Sequence, residues 1–336
     1  MSTSPEKGDA RPRLGWIGLG SMGLGMAKNL QNFIVQNADY RPLLYFNRTI
    51  SRGEPLQQLG ATPATSAKDV VQQSDIIFIS LSDDAALTAT VDSILDSQDE
   101  VDLRNKIIVD TTTIHPDTTT KVAERLSQRG ARFVAGPVFG ASPVAAEGKL
   151  LWVLAGDDEP IQAIEPFIVG TMGRGIIRAG HQPSQATLLK TAGNAVTAGM
   201  MELIGEAHVF AEKTNLGTEA MESLIEHQYG PLALSMSKRL TTGAYMPAKG
   251  DRPWSDLTLA LKDVGHGVDC AEKAGISGGV AAMALENLKE ADKVSKEKGR
   301  ALDSSSMYGV LRQKAGLDFE SDLVKEHDAK APASKQ

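Results

Sequence analysis

Cysteine is almost missing from this chain. Cys270 is the single one in 336 residues, so no disulfide can form within it. That suits a reducing compartment. Set among Val268, Ala271 and Ala274 in a helical pattern, Cys270 reads as a packed thiol rather than a nucleophile. An excess of basic residues is missing too: 35 Lys and Arg face 42 Asp and Glu, for a net charge of -7. This leaves no electrostatic footprint for nucleic acid. No apolar run is long enough to span a bilayer. The first twelve residues carry Pro5, Glu6, Asp9 and Pro12 and lack the apolar core of a secretory signal. Their acids, and the lack of an amphipathic helix, argue against a mitochondrial transit peptide. The last residues close on Ser-Lys-Gln, which is not the peroxisomal Ser-Lys-Leu address. Histidines and acids show no metal-ligand spacing, and there is no Gly-x-Ser-x-Gly elbow and no P-loop. These absences predict a cytoplasmic protein without membrane or nucleic-acid partner, with polar mobile tails over residues 1–12 and 317–336.

What remains is an ordinary globular composition, 41% hydrophobic and 23% charged, with length enough for two domains. The chain is organised around its first ordered stretch. An apolar run through Leu14-Gly15-Trp16-Ile17 reaches Gly18, and helix-forming residues follow Ser21. Between them lies G-x-G-x-x-G, with Leu19, Ser21 and Met22 filling the gaps between Gly18, Gly20 and Gly23. A strand before and a helix after is the context a dinucleotide-binding turn requires. The first glycine allows the tight turn, the second lets backbone approach a pyrophosphate, and the third lets helix pack on strand. The helix start then stabilises phosphate charge.

A second short strand, Pro42 to Phe46, ends at Asn47-Arg48-Thr49, where the ribose reader of such a fold belongs. An acid there would hold the 2′-hydroxyl of NAD and repel a 2′-phosphate. This chain has Asn47 and Arg48, with Arg52 one helical turn on, and a guanidinium fork suits a phosphate. The expected cofactor is therefore NADP, with NADPH preferred over NADH. Near-continuous apolar strands follow at Asp75–Leu81, Lys106–Asp110, Arg132–Ala135, Leu150–Ala155 and Gly175–Arg178. Helical stretches alternate with them, which argues for a doubly wound parallel sheet. Ser82-Asp83-Asp84 reads as a helix cap, and Leu81 and Ser82 join the candidate cofactor contacts.

The pattern changes near Gly180. From Ser184 to Lys213 the chain writes one long helix, apolar over most of its circumference and hence expected to be buried. Beyond it everything reads helical: Thr218–Gln228, Pro231–Leu240, Ser255–Ala274, Gly279–Glu297 and a short helix from Ser304, with a turn at Gly275–Gly278. The fold class is thus α/β. A Rossmann-type domain over residues 13–179 is followed by an all-α substrate and dimerisation domain over 180–316, built around a long interdomain helix.

Hydride exchange at a carbonyl carbon needs a proton moved on the oxygen, and a lysine within reach can do this. Lys190 sits among Leu188, Leu189, Thr191 and Ala192. Burial there disfavours the ammonium and tunes it toward proton transfer at working pH. Asn194, four residues on, shares its face. Thr112 and Thr113 lie just past a strand end, where open α/β sheets bind ligands; Thr113 is equally placed to cap the next helix. His115 reads as a loop residue past the same strand end.

Five segments in order, Gly18–Gly23, Asp110–Pro116, Gly136–Ala141, Lys190–Asn194 and Leu261–Asp263, resemble the β-hydroxyacid dehydrogenase family over about residues 13–315. This family includes 3-hydroxyisobutyrate dehydrogenase, tartronate semialdehyde reductase and glyoxylate/succinic semialdehyde reductase. More distantly it includes the imine reductases, and it carries a 6-phosphogluconate dehydrogenase-type NADP-binding domain. The resemblance implies an NADP-dependent enzyme that interconverts a small 3-hydroxyacid or alcohol and its carbonyl. It implies Lys190 as general acid/base with Asn194 as partner, Thr112 and Thr113 toward nicotinamide and substrate, and Lys262 reaching from the helical domain toward the cofactor, with Asp263 beside it in an ion pair. The family's Pro-Val-Ser-Gly-Gly is here Pro137-Val138-Phe139-Gly140-Ala141, so a substrate-carboxylate donor is replaced by a ring at Phe139. Gly140 and Ala141 keep the backbone close, and a carbonyl compound with an apolar part fits better than a fully polar hydroxyacid. Alternatives are an imine reductase, against which Lys190 counts, and a non-catalytic NADP-binding scaffold. The greasy long helix and the resemblance together imply a homodimer or homotetramer.

Overall fold

The computed structural model describes residues 11–95 and 101–330. The chain divides into two compact units, with the break after Lys190 rather than at residue 180. In chain order the first unit holds β1 (Leu14–Ile17), α1 (Ser21–Gln36), β2 (Leu44–Phe46), α2 (Glu54–Gln57), β3 (Thr62–Pro63), α3 (Ala67–Gln73), β4 (Ile76–Ile79), α4 (Asp84–Leu95) and β5 (Ile107–Asp110). It continues through α5 (Pro116–Ser127), β6 (Arg132–Ala135), β7 (Val138–Phe139), α6 (Ser142–Ala146), β8 (Leu150–Ala155), α7 (Asp158–Ile168) and β9 (Gly173–Gly180).

The strands form one sheet in the order β3-β2-β1-β4-β5-β6-β8-β7, with β9 beside β8. Neighbours from β3 to β6 run parallel. The expected all-parallel sheet is corrected at its far side, where β8 runs antiparallel to both β6 and β7. All four residues of β1, β4 and β5 are buried, because helices cover both faces. Alternate residues point to opposite sides. Trp16, Phe78 and Val109 pack with Met26 and Leu30 of α1 on one face; Ile17, Ile77 and Ile108 pack with Val70 of α3 and Leu87 of α4 on the other. The Trp16 and Phe78 rings stack with centroids 5.5 Å apart. The strand order reverses between β1 and β4, the place where open α/β sheets bind ligands.

Helix α8 (Ser184–Lys213) takes the bounds the sequence predicts. The compact-unit break falls inside it because its first turn belongs to the sheet domain. Ala186 is fully buried in that core, and the Thr119 hydroxyl of α5 donates to Thr187 at 3.0 Å. The second unit adds α9 (Thr218–Thr241), α10 (Leu257–Lys273), α11 (Val280–Lys298), α12 (Met307–Lys314) and α13 (Asp322–Lys330). Within α9 the chain forms the two helices expected on either side of Gly230, which has φ 82°, outside the helical region, and is followed by Pro231. Ala198, Met201, Ile204, Ile225, Leu240, Tyr245 and Leu288 lie in its core. Cys270, on α10, is partly buried.

Two expectations are corrected here. Residues 317–330 are not a tail: Phe319 and Val324 are buried, and the Tyr245 hydroxyl donates to the Phe319 carbonyl at 2.9 Å and accepts from Ser321 N at 2.8 Å. Arg11, within the other expected tail, lies over the Tyr40 ring. The rest of the tail expectation, residues 1–10 and 331–336, lies outside the described residues. Nor is α8 buried all round within one chain: Val196, Leu203 and Phe210 are 62%, 56% and 59% exposed. Among the described residues no helix is long and apolar enough to cross a membrane.

Candidate active site

The candidate residues of the sheet domain gather along the C-terminal edges of β1, β2, β4 and β5. After β1, Gly18 has φ 97°, and a side chain there would meet Ser80 O at 2.2 Å. Glycine is required on both counts. A Cβ at Gly23 would lie 2.4 Å from Gly18 O, so that glycine lets α1 close on the turn. At Gly20 a Cβ would meet nothing within 4 Å. Gly20 is also the N-cap of α1, which has no side-chain cap and no acidic residue in its first turn. Open space, an uncapped helix start and the positive end of its dipole are what a pyrophosphate needs. This chain therefore fits a dinucleotide at the loop of Gly18, Leu19, Gly20, Ser21, Met22 and Gly23.

Asn47 is tied to that loop, accepting from Leu19 N at 2.8 Å while its amide donates to Thr49 O at 2.7 Å. Its side chain thus shapes the turn, a role the sequence did not disclose. Arg48, Thr49 and Arg52 are exposed beside it. After β4, Leu81 N donates to the Thr112 hydroxyl at 3.1 Å, which joins two candidate contacts across neighbouring strand ends. Exposed Ser82 donates to Asp83, whose other oxygen accepts from Ala86 N at the start of α4, as the cap pattern predicts. Thr112 is buried and Thr113 half-buried. The cap of α5 is His115 and not Thr113: its Nδ1 accepts from Asp117 N at 3.1 Å. Pro116 at the first helical position signals that boundary in the sequence.

Lys190 is 8% exposed on α8. Its ammonium nitrogen lies 4.2 Å from the centroid of the Phe139 ring. Phe139 is half-buried and ends β7; Gly140 follows at φ 134°, and Ala141 caps α6. Beyond Ala141, the Ser142 hydroxyl lies 3.9 Å from the Met22 sulfur, which brings this loop to the glycine-rich turn. In the second unit, Asn194 donates to Asp263 Oδ2 at 3.2 Å, and Lys262 Nζ lies 2.7 Å from Asp263 Oδ1. The sequence predicts the Lys262–Asp263 pair. It does not disclose that Asp263 also holds Asn194, because the partners are 69 residues apart. A cavity of about 430 Å³ at the other edge of the sheet, lined by Arg11, Tyr40, Asp75 and Arg132 among others, contains none of these residues.

Residues 13–180 match the NAD-binding domain of 6-phosphogluconate dehydrogenase, and with it half of the chain. The NADH-dependent oxidoreductase ucdB of Aspergillus ustus is 33% identical over 302 residues, 89% of this chain and 98% of that protein. The glyoxylate/succinic semialdehyde reductase 1 of Arabidopsis thaliana is 27% identical over 83% of this chain and 92% of its own length. The chain belongs to the β-hydroxyacid dehydrogenase family. The solved 3-hydroxyisobutyrate dehydrogenase of Mycobacterium tuberculosis, with L-serine, shares the fold at a TM-score of 0.73 and 21% identity, covering 90% of this chain and 99% of that one. As a β-hydroxyacid dehydrogenase the protein is a pyridine-nucleotide-dependent oxidoreductase acting on CH–OH groups.

Proposed function

We propose that this enzyme interconverts a small 3-hydroxyacid or alcohol and its aldehyde or semialdehyde, with Lys190 as general acid/base and NADPH as the preferred reductant. The placement of Lys190 carries the reading: a nearly buried ammonium on the first turns of α8, held against a ring at the end of β7. Bound NADPH supplies the hydride to the carbonyl carbon. As charge develops on the carbonyl oxygen, Lys190 supplies the proton: its N–H bond breaks, an O–H bond forms, and a neutral amine remains. In the oxidative direction the neutral amine takes that proton back.

Asn194 and Lys262, tied together through Asp263, orient substrate and cofactor. Thr112 and Thr113 bind at the strand end, and Gly140 and Ala141 offer backbone. The Phe139 ring removes a hydroxyl donor for a carboxylate, so carbonyl compounds with an apolar part suit the site best. Arg48 and Arg52 favour a 2′-phosphate, since no acid stands at the end of β2. The Aspergillus relative is named for NADH, which makes the cofactor comparison the first measurement to make. We place the protein in the cytoplasm and as a homodimer or homotetramer. Arabidopsis and Drosophila relatives named for glyoxylate/succinic semialdehyde and 3-hydroxyisobutyrate support the substrate class.

The test is a panel of glyoxylate, succinic semialdehyde and phenylacetaldehyde followed by absorbance with NADPH and NADH, on wild type and on Lys190→Met. Turnover is expected to fall by roughly 10²–10⁴-fold in the variant with NADPH binding nearly unchanged. A variant that keeps wild-type kcat, or that loses cofactor binding along with turnover, refutes the role given to Lys190.

A further inference from the structure

The ring at position 139 stands where the family expectation is a hydroxyl, and it does more than withdraw a donor. We infer that Phe139 is a positioning residue for Lys190: its face seats the ammonium and so fixes the proton donor of the reaction proposed above, on which this inference rests. The nitrogen lies 4.2 Å from the ring centroid, inside the range in which a cation is drawn to the negative face of an aromatic ring.

Both partners rise from fixed supports. Phe139 pairs with Leu151 in the β7–β8 register, and its ring packs against the core that includes Ala186 of α8. Lys190 follows Thr187 by one helical turn, and Thr187 is bound to α5 through Thr119 at 3.0 Å. A lysine carries a flexible four-carbon stem, so a pinned helix start does not by itself place the nitrogen. The ring supplies the second point. Of the placements open to the stem, it favours those that keep the charge on its face, as the 4.2 Å separation does.

Two substitutions distinguish the ring's quadrupole from burial alone. Leucine fills similar space and excludes water but has no quadrupole; tyrosine keeps the ring face. The measurement uses the full chain grown with lysine labelled with carbon-13 at the ε position, with the Lys190 resonance assigned through Lys190→Arg. The ε-methylene signal is expected to be shifted upfield by the ring in wild type and in Phe139→Tyr, and to fall among the exposed lysines in Phe139→Leu. With succinic semialdehyde as probe, kcat is expected to drop roughly 3- to 30-fold in Phe139→Leu and to return in Phe139→Tyr, with the KM for NADPH and the urea midpoint near wild type. An unshifted Lys190 signal in wild type overturns the inference. So do leucine and tyrosine variants that turn over alike. Absence of carbonyl reduction by wild type would instead overturn the proposed reaction, and the resonance would still decide whether the ring seats the amine.

Discussion

Arg48 and Arg52 stand exposed just past β2, next to an asparagine whose carbonyl is already engaged by the glycine-rich turn. Asn47 therefore cannot serve as an acid would, and the proposed NADPH preference rests on the two guanidinium groups. A charge-assisted hydrogen bond contributes about 1.5–3 kcal/mol. Arg48→Asp is expected to weaken NADPH binding roughly 10- to 100-fold and to leave NADH binding equal or better. Calorimetric titration of both nucleotides checks this, and an unchanged NADPH affinity would assign the preference elsewhere. The candidate residues are unevenly legible in the sequence. The glycines follow from residue type and spacing, and the candidacy of Lys190 and the strand-end threonines from these together with the family resemblance. The seat of Lys190 on Phe139, the hold of Asp263 on Asn194 and the cap at His115 do not, because each depends on partners or side-chain directions that spacing does not encode.

Among the helices, α8, α11 and α12 share a buried polar contact. Glu202 is 1% exposed; Asn287 donates to it, and Lys314 donates to Asn287 at 2.5 Å. Loss of solvation pushes the Glu202 carboxyl up to about 7, with Glu206 adding to the rise and Asn287 and Lys314 opposing it. A carboxyl raised in the fold binds its proton more tightly there than in the unfolded chain. Its contribution is therefore complete below the ordinary value of 4.5, and declines as pH climbs to about 7. Wild-type stability should fall by up to about 3 kcal/mol across that window, while Glu202→Gln should be flatter. Urea unfolding at several pH values measures the difference, and parallel profiles would rule the effect out. The elements themselves were legible where the pattern is long or doubly covered. β1, β4 and β5 are continuous apolar runs, and the Gly230–Pro231 break in α9 is written in the residues. The two-residue strands β3 and β7 are too short to show a period, and the antiparallel turn of β8 is set by sheet partners that an apolar run does not specify. Helix α3 had a readable signal in Ser66, whose hydroxyl accepts from Asp69 N at 3.0 Å.

For the chain as a unit, one side of α8 is an exposed apolar face among the described residues. Val196, Leu203 and Phe210 repeat every seven residues, and Leu224, Leu232 and Met283 are exposed as well. Exposed apolar surface on this pattern is what the proposed homo-oligomer would cover. Light scattering is expected to give a mass at least twice the 35.7 kDa of one chain. Phe210→Glu should move that mass toward one copy, and a wild-type monomer at micromolar concentration would contradict the proposal. The continuity of α8 has a practical corollary. The division between the compact units falls after the seventh residue of an unbroken helix, not in a loop. A gene truncated after codon 190 would strip the helix of its remaining turns just past the proposed proton donor. Limited proteolysis should likewise find no soft joint there, so the two halves are best expressed and assayed together.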